Sequence, residues 1–437
     1  MRKYDKYKKS NVPWIGEIPE HWDLKRMRFV ARLYNGNSLN DTEKSHYADT
    51  PDDDDSMPYI ASKDIDRDTE FIDYANGIRI PKNEPDFKVA PAGTSLLCIE
   101  GGSAGKKMGF VNQDVCFVNK LCCFDAVINN KFLYYYIKSK SFWEVFSQNI
   151  QGMIGGVTIS RIKDFAVPVP SDEEQDAIVA YLDKKCGDID KAIETQQKHK
   201  DLLNELRQNI VTSAVTSGVD VHEAYEDSGF ECIGKIPSTW TATILKRQLR
   251  TKLMYGANVG AEDSNPDDPR YIRITDLNDD GSLKEDSFVS LSPEAAKDYM
   301  LQSGDILFAR SGATVGKTYI HRGDFPACFA GYLIKAQCGK NLLPDYLFYY
   351  TKSKCFDNWK DSIYVQSTIP NIGAEKYGLM PISIPPVEEQ LRIVDYISKR
   401  TKNLIQQISE AEQKIELLRK LRASIIQEVI TGIMKVS

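Results

Sequence analysis

The sequence YKKSNVPWIGEIPEHW at residues 7–22 returns in altered form as YEDSGFECIGKIPSTW at residues 225–240. The two copies share Tyr, Ser, Ile-Gly, Ile-Pro and Trp in one constant register, which aligns Tyr7 with Tyr225 and Trp22 with Trp240. Self-similarity at a fixed spacing indicates a duplicated structural unit, because chance matches do not keep one register over so many positions. We therefore expect the chain to contain the same fold twice.

Three further blocks repeat in the same order, each pair sharing aromatic, glycine or proline positions. They are MPYIASKDID (57–66) with PRYIRITDLN (269–278), AGTSLLCIEGGSAGKKMGFV (92–111) with SGDILFARSGATVGKTYI (303–320), and VPVPSDEEQDAIVAYLD (167–183) with ISIPPVEEQLRIVDYIS (382–398). The spacing between the copies changes slightly from block to block, so we expect only the intervening loops to differ in length.

Each half of the sequence predicts a mixed globule. Short β-rich runs at 94–99, 109–118 and 305–309 are bounded by Gly, Asn, Asp or Pro, which is typical of strands between turns. Aromatic-rich stretches at 132–147 and 346–359 predict amphipathic helices that pack on those strands. The fold class that we predict is α+β.

A long helical segment follows each globule. Apolar residues recur there at spacings of three and four with Gln, Glu, Lys and Arg between them, which is the pattern of a coiled-coil seam. The seam positions are Ile178, Leu182, Ile189, Ile193, Leu203, Leu206 and Ile210 in the first segment, and Leu404, Ile408, Ala411, Ile415, Leu418, Leu421, Ile425 and Val429 in the second. We predict globular domains at 1–171 and 223–386, and helical spacers at 172–222 and 387–437.

The length of these helices predicts how they pack. About 30 helical residues span roughly 45 Å, which is more than a globule of this size needs for its own core. The nearest surface for the apolar stripe of one helix is the other helix. We therefore predict an antiparallel coiled coil that joins two similar globules with internal pseudo-two-fold symmetry. The alternative is that each helix packs only on its own globule.

The composition limits the class of protein. No stretch approaches the roughly 18 apolar residues that cross a bilayer, and no apolar segment follows the basic amino terminus, so we expect a cytoplasmic chain without membrane contact. The nine cysteines include no CxxC pair, so we expect reduced, mostly buried thiols and no metal site. The net charge of -6 neither supports nor excludes nucleic acid, because phosphate binding needs only a local basic surface.

Two glycine- and lysine-rich loops are candidate binding elements. The stretch SGATVGKT at 311–318 resembles a nucleotide phosphate-binding loop, but three residues rather than four separate Gly312 from Gly316. The equivalent loop at 101–107 has the same three-residue spacing. Both loops offer backbone N–H groups beside basic side chains, which are common contacts to DNA phosphates. A solvated hairpin turn is the alternative for both.

A second pair of loops, at 151–162 and 366–372, is rich in Gly, Gln, Thr, Ser and Asn and lies before each long helix. Short polar side chains suit the edges of bases, although a turn would use them equally. The candidate DNA-binding residues from these loops and from the block at 57–66 and its copy are Lys63, Lys106, Lys107, Gln151, Thr158, Arg161, Arg273, Arg310, Ser311, Lys317, Gln366, Ser367, Thr368 and Asn371.

The sequence offers little support for catalysis. It contains no amino-methyltransferase motif, in which Asp, Asn or Ser precedes Pro-Pro and an aromatic residue follows, no FxGxG cofactor loop and no nucleophile elbow. The five histidines form no obvious set, and Thr239 replaces His21 in the second copy. We therefore expect no catalytic residue and no metal ligand.

These residues closely resemble the specificity subunit of type I restriction-modification enzymes. The resemblance is carried by SNVPWIGEIPEHW with SGFECIGKIPSTW, by the paired Gly-Lys loops, and by the segments VPVPSDEEQDAIVAYLD and IPPVEEQLRIVDYIS that lead into the long helices. It covers essentially the whole chain. Its specificity comes from order and duplication rather than from any single motif.

The resemblance implies that each globule is a target recognition domain and that each helix is a conserved spacer that docks a methyltransferase subunit. It implies a non-catalytic chain that recognises a two-part target in double-stranded DNA, and an assembly with two methyltransferase subunits that restriction subunits can join. S-adenosylmethionine and ATP with Mg would be used by the partners, and no cofactor by this chain. The residues implied on the partner-binding helices are Glu174, Gln175, Tyr181, Glu389, Gln390 and Tyr396.

Two other interpretations stay open at the level of the sequence. A nucleotide-dependent enzyme would require Lys317 to bind phosphate. A coiled-coil scaffold would keep protein partners but show no DNA sequence preference. Because the two globules share a scaffold and differ in sequence, a DNA-reading chain should recognise two different half-sites, at a separation set by the helices.

Overall fold

The computed structural model describes residues 3–152, 155–260, 264–284, 286–364 and 371–436. The chain divides into two compact units. Unit 1 comprises residues 1–196 and 413–437, and unit 2 comprises residues 197–412. Both boundaries fall inside the long helices, so each unit contains one globule and a part of each helix.

Unit 1 contains a globule of short strands and helices. Its strands are β1 (Tyr7–Lys9), β2 (Glu17–Pro19), β3 (Asp23–Arg26), β4 (Ala31–Asn35), β5 (Ser56–Ile60), β6 (Arg79–Pro81), β7 (Val89–Ala90), β8 (Ser95–Cys98), β9 (Met108–Phe110), β10 (Val115–Phe117), β11 (Leu121–Ala126) and β12 (Ala166–Val169). Its helices are α1 (Asp41–Ala48), α2 (Asn130–Ile137), α3 (Lys140–Gln148) and α4 (Ile159–Ile162), and the long helix α5 (Asp172–Ser217) begins in this unit.

Unit 2 repeats this arrangement with fewer strands among the described residues. Its strands are β13 (Tyr225–Asp227), β14 (Lys235–Pro237), β15 (Thr241–Ile244), β16 (Met254–Tyr255), β17 (Arg270–Ile272), β18 (Ile306–Ala309), β19 (Thr318–Ile320), β20 (Ala327–Phe329), β21 (Leu333–Ala336) and β22 (Pro381–Ile384). Its helices are α6 (Pro293–Ala296), α7 (Pro344–Tyr350), α8 (Lys354–Tyr364) and α9 (Ala374–Gly378), and the long helix α10 (Val387–Ile430) begins in this unit.

The sheets of the two units share their main strand pairs, although the four-stranded sheet β6-β5-β10-β7 of unit 1 corresponds to a two-stranded sheet in unit 2. The antiparallel order β4-β11-β8-β9 of unit 1 recurs in unit 2 as β16-β21-β18-β19. The parallel pair of β5 with β10 recurs as β17 with β20. The strand before each long helix pairs with a strand that follows the Tyr/Trp motif, as β12 with β3 and as β22 with β15. The predicted duplication is therefore a duplication of topology.

The aromatic-rich stretches form helices, as predicted, but each one is broken into two. α2 and α3 divide the first stretch, and α7 and α8 divide the second. A buried serine stands at each break, where the Ser139 and Ser353 hydroxyls accept hydrogen bonds from the backbone N–H groups of Phe142 and Phe356. A serine that satisfies a free N–H group starts a new helix, so the chain turns at these positions.

The two long helices lie antiparallel within each unit. In unit 1, Ile178 and Leu182 of α5 share a buried cluster with Ile426 and Val429 of α10. In unit 2, Val211 and Val215 of α5 share a buried cluster with Ile393 and Ile397 of α10. As residue numbers rise along one helix, those of its neighbour fall. The predicted fold class is confirmed: two similar α+β globules and a pair of long antiparallel helices.

A glycine stands close to the end of each long helix. Gly218 directly follows α5 and Gly432 lies two residues beyond the end of α10. They adopt positive φ angles of 77° and 76°, a conformation that glycine adopts without steric cost. A Cβ atom at Gly432 would lie 2.3 Å from Cδ of Pro19, and one at Gly218 would lie 2.8 Å from Oε1 of Glu389. Each glycine therefore also permits the close approach of the helix end to the globule.

Of the fifteen predicted seam positions, seven are buried, six are partly buried and two are exposed. Ile178, Leu182, Ile189, Leu203, Ala411, Ile415 and Val429 are buried. Leu206 and Leu421, which we placed in the seam, are each 48% exposed. The helical spacing alone does not identify which apolar residues face the neighbouring helix, because part of each helix packs on a globule instead.

Among the described residues, no helix is long and apolar enough to cross a membrane. Seven of the nine cysteines are buried, and within the described part of the chain all are free thiols.

Candidate nucleic-acid interface

The Gly-Lys loop of unit 1 connects β8 to β9. Gly105 has a φ of 71°, and a Cβ atom there would lie 2.2 Å from the ring of Trp143, so the loop packs closely on α3. Lys106 is exposed, and its Nζ donates to the carbonyl of Gly102 at 3.2 Å. Lys107 turns the other way and donates to the carbonyl of Ser62 at 2.9 Å. Of the two predicted lysines, Lys106 is the better placed to meet a phosphate.

The structure joins this loop to the polar loop that precedes α5. Gly101 N donates to Gly155 O at 2.7 Å, and Val157 N donates to Ile99 O at 2.9 Å. Two regions that are distant in the sequence therefore form one surface.

The joined loops of unit 1 border an open cavity of about 810 Å³. Glu100, Gln151, Thr158 and Arg161 line it, and all four are exposed. An Arg161 guanidinium nitrogen donates to the Asn149 side chain at 3.2 Å. Carboxylate, amide, hydroxyl and guanidinium groups that converge on one cavity can read the donors and acceptors on base edges.

In unit 2 the same two loops also meet. The backbones of Ser311 and Asn371 form a β-bridge, and Ile372 N donates to Arg310 O at 2.8 Å. The guanidinium carbon of Arg310 lies 4.9 Å from the centre of the exposed Tyr255 ring. Among the described residues its Nε has no hydrogen-bond partner. Gln366, Ser367 and Thr368, also predicted here, lie outside the described residues.

Lys317 of unit 2 is paired with a carboxylate, unlike the exposed Lys106 of unit 1. Its Nζ is 2.8 Å from Asp279 Oδ1 and donates to Leu277 O at 3.3 Å, and a quarter of the side chain is exposed. The segment after the loop is the strand β19, whereas a nucleotide phosphate-binding loop leads into a helix. The local fold therefore does not match that of a nucleotide-binding loop.

The remaining predicted basic residues lie at equivalent turns. Lys63 is exposed and 3.3 Å from Asp64, whose carboxylate accepts from the Ala61 backbone. Arg273 forms two side-chain hydrogen bonds with Asp276, at 3.1 and 2.9 Å, and these bonds raise the pKa of Arg273. Arg273 is thus held by two bonds to a carboxylate, whereas Lys63 has a single ion pair with Asp64 and keeps 71% of its side chain exposed.

The residues expected on the partner-binding helices mostly hold each helix to its globule. Gln175 and Gln390 are fully buried, and their amides bond to backbone groups of the globule or of the preceding loop. Glu174 and Glu389 accept from the indole N–H groups of Trp22 and Trp240, at 3.1 and 2.9 Å. The docking role stays a prediction for these four and for the remaining pair, Tyr181, which is partly exposed, and Tyr396, which is 37% exposed.

Two histidines at unrelated sequence positions contact these two glutamates. His21 Nε2 lies 3.0 Å from Glu174, and His222 Nε2 lies 2.9 Å from Glu389. His21 directly precedes its tryptophan, whereas His222 lies upstream of the whole second copy of the motif that contains Trp240. Comparison of the repeats position by position missed this pairing, because it searches for a histidine at the equivalent position.

A buried charge cluster, also missed from the sequence, links each globule to the end of a long helix. In unit 1, Lys138 Nζ lies 2.6 Å from Glu70, and Arg422 of α10 lies 3.9 Å from Glu70 and 3.2 Å from Asp190. Tyr134 OH also donates to Glu70. Burial and the like charge of Arg422 lower the pKa of Lys138.

Unit 2 contains the counterpart of this cluster. Lys352 Nζ donates to Asp279 O at 3.0 Å. Both residues line a cavity that Arg207 of α5 also lines. Burial and the like charge of Arg207 lower the pKa of Lys352 to about 8. The signal in the sequence was the repeat of TyrXLysSerLys at 136–140 and 350–354, which we interpreted only as part of a helix.

The chain matches the model of one protein family, described as the type I restriction modification DNA specificity domain, at residues 19–205 and 248–417. It is 22% identical to the type I restriction enzyme MjaIX specificity subunit of Methanocaldococcus jannaschii, across 97% of this chain and 95% of the relative. It is 24% identical to the StySPI specificity subunit of Salmonella potsdam, across 46% of this chain and 44% of that protein.

One solved chain shares the fold. It belongs to a structure described as the structural basis underlying complex assembly and conformational transition of the type I R-M system. The TM-score is 0.61 at 16% identity, and the match covers 94% of this chain and 98% of that one.

Proposed function

Because this chain belongs to the family of type I restriction-modification specificity subunits, we propose that it reads an asymmetric, two-part DNA sequence for a methyltransferase complex. Unit 1 reads one half-site and unit 2 reads the other. The observation that carries the proposal is the recurrence, in both units, of a Gly-Lys loop joined to the polar loop before the long helix. The chain performs no chemistry itself.

The two joined loops share backbone geometry but present different groups. Ile99 and Glu100 of unit 1 correspond to Arg310 and Ser311 of unit 2, in the repeat register that aligns Gly105 with Gly316. A carboxylate accepts from cytosine N4, whereas a guanidinium donates to guanine O6 and N7. The same scaffold with different donors and acceptors supports two different half-sites.

Arg310 is the side chain best prepared to read a base. The ring of Tyr255 supports its guanidinium, and Tyr255 OH is in turn fixed by the Ala374 backbone N–H at 2.9 Å. A planar guanidinium held by stacking keeps its outer nitrogens available for a bidentate contact. We assign Arg310 to a guanine in the second half-site.

The partners proposed are two methyltransferase subunits, to which restriction subunits can add. Leu202 and Leu206 of α5 are 64% and 48% exposed, and Leu417 and Leu421 of α10 are 70% and 48% exposed. The two pairs occupy equivalent positions in the repeat register that aligns Glu174 with Glu389. Two equivalent exposed apolar pairs support two copies of one partner. The partners supply S-adenosylmethionine, ATP and Mg chemistry, and the target DNA places the complex in the cytoplasm.

The test is selection of DNA from a random-core library by the chain co-expressed with its methyltransferase subunit. We expect two short fixed blocks separated by a constant gap. Arg310→Lys should lose the preference at one position of one block by about 1–3 kcal/mol and leave the other block unchanged. A well-formed complex that binds without selection would refute the proposal and favour a scaffold. Binding of ATP by the chain alone would favour a nucleotide-dependent enzyme.

A further inference from the structure

Each unit carries a stripe of exposed basic side chains that extends beyond the candidate loops. In unit 2 this basic stripe consists of Lys246, Arg247, Arg250, Lys252 and Lys376. In unit 1 the corresponding basic stripe consists of Lys25, Arg26, Arg28, Arg32 and Arg161. Both stripes surround the short 3-10 turn that follows β3 or β15, and both extend to the short helix α4 or α9.

The fold makes these side chains point outward. Met27 and Leu245 begin the two 3-10 turns and are fully buried. Their backbone N–H groups donate to Phe165 O at 2.7 Å and Met380 O at 2.8 Å, which holds each turn against the globule. The polar residues on either side of the buried one are therefore left at the surface.

The stripe of unit 2 adjoins the base-reading surface. Tyr255, which supports Arg310, bonds to Ala374 at the start of α9, and a Cβ atom on Gly378 at the end of α9 would lie 3.5 Å from Lys246. Five helical residues span about 7.5 Å, which is roughly two base-pair rises of 3.4 Å. In unit 1, Arg161 lines both the reading-loop cavity and a second cavity with Lys25 and Arg26.

Three of the five basic positions of each stripe are basic in both units, although Ile99 and Glu100 of the Gly-Lys loop are replaced by Arg310 and Ser311. Arg28 corresponds to Lys246 and Arg32 to Arg250 in the register of the Tyr/Trp motifs. Arg161 corresponds to Lys376 in the register of the segments that lead into the long helices. Retention of charge beside loops whose side chains diverge is what a contact to the sequence-independent part of DNA requires.

The two stripes differ in how far they are neutralised. In unit 1, Asp164 pairs with Arg26 at 3.3 Å and also with Arg28. The repeat replaces Asp164 by Leu379 in unit 2. Among the described residues, Lys246 and Arg247 have no carboxylate within 4.0 Å.

We infer that the two basic stripes bind the phosphate backbone of double-stranded DNA beside the bases that each unit reads, with the unit 2 stripe making the larger ionic contribution. This inference rests on the proposed function and, apart from Arg161, adds residues that no reading loop contains. In this arrangement the loops recognise the base sequence, and the stripes fix the position of each unit along the DNA backbone.

The experiment measures the Kd of the methyltransferase complex for selected and scrambled DNA as a function of salt. In Lys246→Gln/Arg247→Gln the log Kd against log salt slope should fall by about 1.8, because each lost phosphate contact removes about 0.9. Weakening should be equal on both DNAs, with half-site preference retained. Arg26→Gln/Arg28→Gln should change the slope less, because Asp164 already neutralises that pair.

The matched control is Lys235→Gln/Lys297→Gln, which removes the same charge from exposed positions of unit 2 outside the stripe. Its slope should equal that of the parent complex. An unchanged slope in Lys246→Gln/Arg247→Gln, or an equal change in the control, overturns the inference while selective binding by the parent leaves the proposed function standing. Loss of complex assembly on size exclusion would also overturn it and assign the stripe to a protein partner.

Discussion

The bonds from Trp22 to Glu174 and from Trp240 to Glu389 join each Tyr/Trp motif to a long helix. Because the two bonds occur in one chain, the cost of breaking each can be compared directly. Glu389 and Glu174 make the same bond to a buried tryptophan, but their surroundings differ. The side chains of Glu389 and His222 are 5% and 10% exposed, whereas those of Glu174 and His21 are 12% and 55% exposed. The perturbation is replacement of each glutamate by alanine.

The expected costs follow from burial. Glu389→Ala leaves the buried Trp240 indole N–H without its carboxylate acceptor and removes the contact with the His222 ring, and losing a buried hydrogen bond to a charged group costs about 2–3 kcal/mol. Glu174→Ala leaves the Trp22 indole N–H unsatisfied, but His21 reaches water. An exposed pair contributes about 0–1 kcal/mol and an unsatisfied buried donor costs about 1–3 kcal/mol, so we expect about 1–2 kcal/mol in unit 1.

Hydrogen exchange followed by mass spectrometry measures each helix start separately. Peptides covering residues 387–397 should lose roughly 30–150-fold of their protection in Glu389→Ala, and those covering 172–182 about 5–30-fold in Glu174→Ala. Glu388→Ala is the control, because Glu388 is exposed on the same turn and should cost below about 1 kcal/mol. An equal or larger effect of Glu174→Ala would refute the reasoning from burial.

Two further predictions concern the backbone and a buried lysine. Gly187→Ala should stabilise α5 by about 0.5–1 kcal/mol in urea unfolding, because a Cβ atom there meets nothing within 4 Å. Gly36→Ala and Gly256→Ala should cost more than about 3 kcal/mol, because the added Cβ atom would lie 1.7 or 2.3 Å from a backbone carbonyl oxygen; a neutral effect would contradict the packing described. Lys352 has a pKa of about 8 in the folded chain and about 10.4 unfolded, so between these values the unfolded state holds the proton and stability rises with pH. Arg207→Gln should raise that pKa and shrink the rise, as followed by NMR of labelled lysine; an unchanged pKa would show that the two charges do not interact.

Much of the fold was predictable because the repeat is a property of the sequence. The four paired blocks predicted two similar globules, and the spacing of apolar residues predicted two long helices. The breaks at Ser139 and Ser353 were missed because aromatic periodicity continues across them. A serine that caps a helix differs from a surface serine only in its contacts.

The candidate interface was predictable in its parts but not in its assembly. The sequence indicated the Gly-Lys loops and the polar loops separately. Their junction depends on backbone bridges between residues far apart in the chain, such as that of Ser311 with Asn371. The basic stripes were missed because a charge between two apolar residues is ordinary in sequence and becomes a surface only when Met27 and Leu245 are buried.

The sequence by itself determined the duplication, the α+β class, the long helices and the family, because each is carried by order and periodicity along the chain. Only the tertiary structure decided which charges are free and which are already paired. Lys317 and Arg273 looked available and are held by Asp279 and Asp276, whereas Arg310 stands over a tyrosine ring and forms no ion pair among the residues that the structure describes. The physical reason is that the availability of a charge depends on which opposite charges the fold brings within a few ångströms, and sequence order alone does not fix those distances.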